Sequence, residues 1–285
     1  MKNWTPWSRR EALESVSEVE TGYGMAITLR SQREIDLMRK AGAVVGDVLL
    51  KLKEIAEPGI STLQLDGVAS QMTVDAGAEA LFKGVRTAVS KIPFPGVICA
   101  SKNEQVVHGI PAEDEKLKEG DILSIDFGVR LAGYCADAAV TIAIGRISEI
   151  KRRLMDVTKH VLDIAIAKSA PSVKWSQVAA EMQRYAESAG FSVVKDFVGH
   201  GIGRKMHEDP RVPNFVNDDL LANDIIMAEG MVLAVEPMIN VGSSAVKTLR
   251  NGWTVVTRDR KCSAHFEHTI AIVKDGCEVL TAERQ

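Results

Sequence analysis

Apolar residues recur at helical spacing through the first long segment of the chain. Ile35, Met38, Val45, Val48, Leu52 and Ile55 fall three, four or seven positions apart, as the buried face of a helix requires. Ser31 with Glu34 makes a capping box and Pro58-Gly59 stops the run, so an amphipathic helix is predicted between them. A second pair, Ser61 and Gln64, opens a helix carrying Leu65, Val68, Met72 and Ala76 that ends near Gly77. Two further helices are predicted over 148–168 and 175–189, the second closed by Gly190. Apolar, β-branched runs bounded by turn residues at 97–100, 122–129, 134–143, 191–198, 231–239 and 266–273 read as strands. Helix pairs each followed by several strands predict an α+β domain, with helices on one face of a mainly antiparallel sheet. The two halves have similar make-up, which suggests an internal duplication, although no short fixed-period repeat is present. Residues 1–25, with Trp4, Trp7 and no sustained periodicity, are expected to be an N-terminal extension, and 26–285 a single domain.

Composition narrows the function classes. The chain is 46% hydrophobic and 26% charged, values of an ordinary globular protein. No run approaches the roughly 18 apolar residues of a spanning helix, and the N-terminus lacks a signal-peptide core. A cytoplasmic protein without a membrane partner is expected. A net charge of −3 provides no general attraction for phosphate backbones, so no nucleic-acid partner is expected either. The four cysteines, Cys99, Cys135, Cys262 and Cys277, form no CxxC pair and fit a reducing compartment.

Candidate chemistry starts with DILSIDFGVRLAGYCADAAVTI, two strand-like runs joined at Arg130-Leu131-Ala132-Gly133. If Val129 pairs with Tyr134, Asp126 stands opposite Asp137. Opposed carboxylates in a sheet resist ionising together unless a cation lies between them. A one-residue bulge would instead send the two aspartates to different faces. Three other segments supply further ligand types for a divalent ion: His200 in VGHGIG, Glu236 in VLAVEPM and Glu267 in HFEHTI. Both glutamates lie in apolar strand sequence, where an unpaired buried carboxylate is costly.

The ordered set Asp126, Asp137, His200, Glu236 and Glu267, with His108 in NEQVVHGIP and His207 in GHGIGRKMHEDP, resembles the pita-bread metallopeptidases. Within them the likeness is to type I methionine aminopeptidases, and it runs from about Ile27 to Leu280. The resemblance implies a pita-bread fold: a curved, mainly antiparallel sheet with two helix pairs on its outer face and pseudo-twofold halves. It implies that Asp137 and Glu267 bridge two divalent ions (Mn, Fe, Co or Zn), that Asp126 completes one, and that His200 and Glu236 complete the other. It also implies a monovalent-cation site near Asn103 and Ser263. The activity implied is removal of the initiator methionine from nascent proteins with a small second residue. A hydroxide bridging the ions would attack the scissile carbonyl, and the substrate's α-amine would ligate the second ion. Metal binding lowers a bound water's pKa to about 7, which makes hydroxide available near neutral pH. By the same resemblance Glu236 shuttles the proton, His207 stabilises the oxyanion and His108 contacts the scissile amide or amine region. The side-chain pocket would be formed by Phe94, Cys99, Met206 and Trp253, any of which is otherwise plain core. The implied partners are N-termini of nascent chains and, transiently, the ribosome, with the enzyme a monomer.

Four positions depart from the family pattern: Met206 where an aromatic residue is common, Val107 where cysteine is, Ala138 where a hydroxyl is, and His265 where glutamine is. They bear on selectivity and metal tuning and leave all five ligand positions intact. His160 and His268 are read as ordinary packed or surface imidazoles. Two other readings compete. A Xaa-Pro aminopeptidase or prolidase-like peptidase resembles the ligand set, but only about 25 residues precede the matching region, fewer than a second domain needs. A binding module that keeps the fold without catalysis is the other, and it would be expected to have lost ligands.

Overall fold

The computed structural model describes residues 17–20, 26–87, 90 and 92–283; Trp4 and Trp7 lie outside them. Helix α1 spans Gln32–Ile55 and α2 spans Thr62–Asp75, each opened by its predicted capping box. The Ser31 and Ser61 side chains accept from the backbone N–H of Glu34 and Gln64, which in turn bond back to the cap residues. Helix α3 covers Glu149–Lys168 and α4 covers Trp175–Ser188. Within the stretch expected to be an extension, Ser17–Glu20 forms a strand paired with Ala26–Leu29.

The strands form one nine-stranded antiparallel sheet and smaller sheets beside it. Its central order is Glu208–Val212, Gly199–Gly201, Val232–Val235, Glu267–Val273, Tyr134–Ala143, Ile122–Leu131. Helices α1 and α2 pack Val45, Val48, Leu52 and Leu65 onto Leu123, Ile125, Phe127 and Val129. Helices α3 and α4 pack Leu154, Val161, Trp175 and Met182 onto Leu233, Val235, Ile270 and Ile272. Each half of the sheet thus has its own helix pair and core. The contact between α1 and the C-terminal strand region is close: a Cβ on Gly42 would meet the Leu280 carbonyl, so only glycine fits.

Three strand readings need correction. The hairpin joins Leu131 to Tyr134 through Ala132-Gly133, both with positive φ (51° and 84°), which is a two-residue turn rather than a four-residue loop. Asp137 therefore stands opposite Gly128, and Asp126 opposite Ala139. The reading of 231–239 as one strand fails because Pro237 has no N–H to donate; the run splits into Val232–Val235 and Met238–Asn240. Of 191–198 only Ser192–Val193 is strand, and His200 sits on a separate one, Gly199–Gly201.

Candidate metal centre and substrate pocket

Register places the candidate ligands. Directly paired residues in an antiparallel ladder point to the same face, and alternate residues along a strand return to it. Asp126 pairs with Ala139, and Ala139 with Glu267, so these share a face. Asp137, two residues from Ala139, shares it too. Ala234 pairs with both Thr269 and His200, which brings His200 to that face, and Glu236 follows two residues beyond Ala234. The core residues Phe127, Ala138 and Val235 occupy the opposite face under the helices. Neither the expected Asp126–Asp137 register nor the bulge is needed to bring the two aspartates together. They are diagonal neighbours, close enough to share a proton.

Asp137, His200 and Glu267 each offer a ligand atom within 4.8 Å of the others. His200 Nε2 lies 3.9 Å from Glu236 Oε1, while His200 Nδ1 lies 2.9 Å from the Gly201 carbonyl. That carbonyl can only accept, so Nδ1 carries the proton and Nε2 presents its lone pair. Burial, followed by neighbouring negative charge, pushes the carboxyls of Asp126, Glu236 and Glu267 well above their usual range. Burial also raises Asp137 to about 7. Burial and the neighbouring His207 lower His200 to about 4, leaving it neutral at ordinary pH. Among the described residues, the buried oxygens Asp126 Oδ1, Asp137 Oδ1 and Glu267 Oε1 have no hydrogen-bond partner. Like charges gathered with orphaned acceptors and a neutral imidazole suit divalent cations, whose charge removes the repulsion and whose coordination uses those oxygens. Gly128 leaves room for this arrangement, since a Cβ there would lie 3.1 Å from Asp137 Oδ1.

The five residues open onto a cavity of about 1070 Å³. His207 is on its wall with its ring 4.4 Å from that of His200, centroid to centroid. His108 lines it as well, held in left-handed backbone (φ 57°) and edge-on to Phe197. A non-glycine residue in that conformation marks a position held by its surroundings. Phe94, Cys99, Met206 and Trp253 come together as one apolar cluster beside the ligand face, joined by Phe82 and Ile110. Phe94 and Trp253 meet edge to face at 5.2 Å, and the Trp253 indole N–H bonds the Ile92 carbonyl at 2.9 Å. Sequence reasoning missed Phe82 and Phe197, both of which line the cavity. Nothing local in the sequence singled out Phe82, whereas Phe197 stands three residues before His200. His160 of α3 lies against Tyr185 of α4, and His268 bonds Thr281 Oγ1 on the helix side, both away from the ligand face. Near the expected monovalent-cation position, the Asn103 carbonyl accepts the Ser263 N–H, and Lys151 Nζ donates to Asn103 Oδ1.

Residues 36–274 match metallopeptidase family M24, over most of the chain and through every ligand position. The chain belongs to metallopeptidase family M24. A methionine aminopeptidase of Clostridium perfringens is 49% identical to this M24 peptidase over 255 residues, covering 90% of this chain and 98% of the relative. The crystal structure of methionine aminopeptidase from Thermotoga maritima superposes with TM-score 0.85 at 37% identity, covering 90% of this chain and all of that one. A prolidase from Pyrococcus furiosus shares the pita-bread fold at TM-score 0.69 and 18% identity, with 90% of this chain matched to 66% of that one. Among the described residues of the M24 peptidase, no helix is long and apolar enough to cross a membrane. All four cysteines are free thiols.

Proposed function

We propose that this M24 metallopeptidase is a methionine aminopeptidase that removes the initiator methionine from nascent proteins, preferring a small second residue. The observation that carries the reading is the convergence of four carboxylates, Asp137 and Glu267 buried and Asp126 and Glu236 partly so, and a neutral imidazole beside one apolar cleft. Asp126, Asp137, His200, Glu236 and Glu267 would hold the two divalent ions. Mn, Fe, Co and Zn all suit this donor set. Such ions supply Lewis acidity toward the scissile carbonyl and make water a usable nucleophile near neutral pH.

The protein's own groups divide the remaining work. Glu236 accepts a proton from the water that attacks the scissile carbonyl and returns it to the departing amine as the C–N bond breaks. His207, kept neutral by burial, donates its N–H to the carbonyl oxygen as negative charge develops there. His108 contacts the scissile amide. Phe94, Cys99, Met206 and Trp253 receive the methionine side chain, whose burial contributes about 1.5–3 kcal/mol. The enzyme is expected to act in the cytoplasm as a monomer, meeting chains as they emerge from the ribosome.

The deciding experiment supplies each candidate metal to chelator-stripped protein and measures cleavage of Met-Ala-Ser against a Gly-Pro peptide. Cleavage of Met-Ala-Ser that is lost in Asp137→Ala supports the assignment. Preference for the proline peptide would move the protein to Xaa-Pro chemistry, and inactivity on both would favour a binding module.

A further inference from the structure

His265 belongs to none of the roles above, yet it points into the ligand cluster. Its side chain is 2% exposed, and Nε2 has no hydrogen-bond partner among the described residues. That nitrogen lies 3.8 Å from Glu236 Oε2 and 3.9 Å from Glu267 Oε2. We propose that His265 is a positioning residue whose Nε2–H holds the outer oxygens of Glu236 and Glu267, leaving their other oxygens for the cations. The inference rests on the reading that these glutamates ligate divalent ions.

The oxygens are already divided in this way. Glu236 sits between two imidazoles, with Oε1 toward His200 and Oε2 toward His265. Glu267 turns Oε2 toward His265, while its buried Oε1 has no protein partner. Once cation binding has ionised Glu236 and Glu267, both neighbours of His265 Nε2 are acceptors, so the tautomer with hydrogen on Nε2 is the one that satisfies them. A shift of about 1 Å brings either oxygen within the usual N–H···O range of about 2.7–3.2 Å.

The backbone under His265 is held against both ligand-bearing segments. Its N–H donates to Thr141 Oγ1 at 2.9 Å, and its carbonyl accepts from the same hydroxyl at 2.8 Å. Thr141 lies on the strand that carries Asp137. On its other side His265 pairs with Met238, two residues after Glu236. An imidazole carried on backbone held from both directions can set the rotation of the two carboxylates, whereas a space-filling side chain would need no nitrogen there.

The test compares wild type, His265→Leu and His265→Gln as full-length, chelator-stripped proteins titrated calorimetrically with Mn(II), alongside kcat and KM for Met-Ala-Ser. Leucine fills the space without a donor, and glutamine restores an N–H. Leucine should weaken Mn(II) binding about 10- to 100-fold and lower kcat with little change in KM, and glutamine should recover affinity to within about threefold of wild type. Thermal melts of the metal-free proteins verify folding, with His265→Met as a second donor-free side chain should the leucine variant fail. Wild-type affinity in a folded donor-free variant overturns the inference, as does a glutamine variant no better than leucine. Wild-type protein that takes up no divalent ion would remove the proposed function itself, and this inference with it.

Discussion

Asp126 and Asp137 stand diagonally across one hairpin, each opposite a small residue, Ala139 and Gly128 respectively, and on the face away from the helices. The diagonal places two acids within reach of each other while the residues directly opposite them leave space. Gly128→Val should therefore press on Asp137 Oδ1, which lies 3.1 Å from the position of a Cβ. Divalent-metal affinity is expected to fall by about tenfold or more, measured by calorimetry. Gly128→Ala should give a smaller loss.

Metal uptake should release protons. Asp137 is raised to about 7, and burial followed by neighbouring negative charge also raises Asp126, Glu236 and Glu267 well above their usual range. Cations compete with those protons, so apparent affinity should rise with pH through neutrality. His200, lowered to about 4, adds no competition in that range. Calorimetric titrations in two buffers of different ionisation enthalpy should show protons released on metal binding near pH 6.5 and fewer at pH 8. Release that is absent, or that increases with pH, would contradict the assignment.

Side-chain selectivity should depend on Trp253. Trp253→Ala removes the edge-to-face contact with Phe94 and the bond to Ile92, and kcat/KM for Met-Ala-Ser should fall about 10- to 100-fold. Trp253→Phe, which keeps an aromatic face, should retain more of it. Metal affinity should not change in either variant, because no ligand is touched.

Legibility followed the range of the interaction. The four long helices and both capping boxes depend on residues three or four apart, and the sequence displays them directly. The candidate ligands were readable as residue types in order, and they do share one face. The hairpin register was misread because a non-glycine residue, Ala132, takes the first left-handed position of the turn, a choice that local preference disfavours. The error was a shift in pairing that preserved parity, so both aspartates stayed on the correct face. Phe82, Phe197 and His265 owe their places to contacts between distant strands. No local pattern assigns such contacts.

The two halves of the large sheet meet through a short seam. Glu267–Val273 and Tyr134–Ala143 are joined by only two registered pairs, Glu267 with Ala139 and His268 with Ala138. Asp126 and Asp137 belong to one side of that seam, and His200, Glu236 and Glu267 to the other. Ions gripped from both banks would act as rivets across this short pairing. Stripping them should loosen the joint before either helix-backed lobe melts, making the fold's mechanical integrity dependent on the same atoms that carry its chemistry.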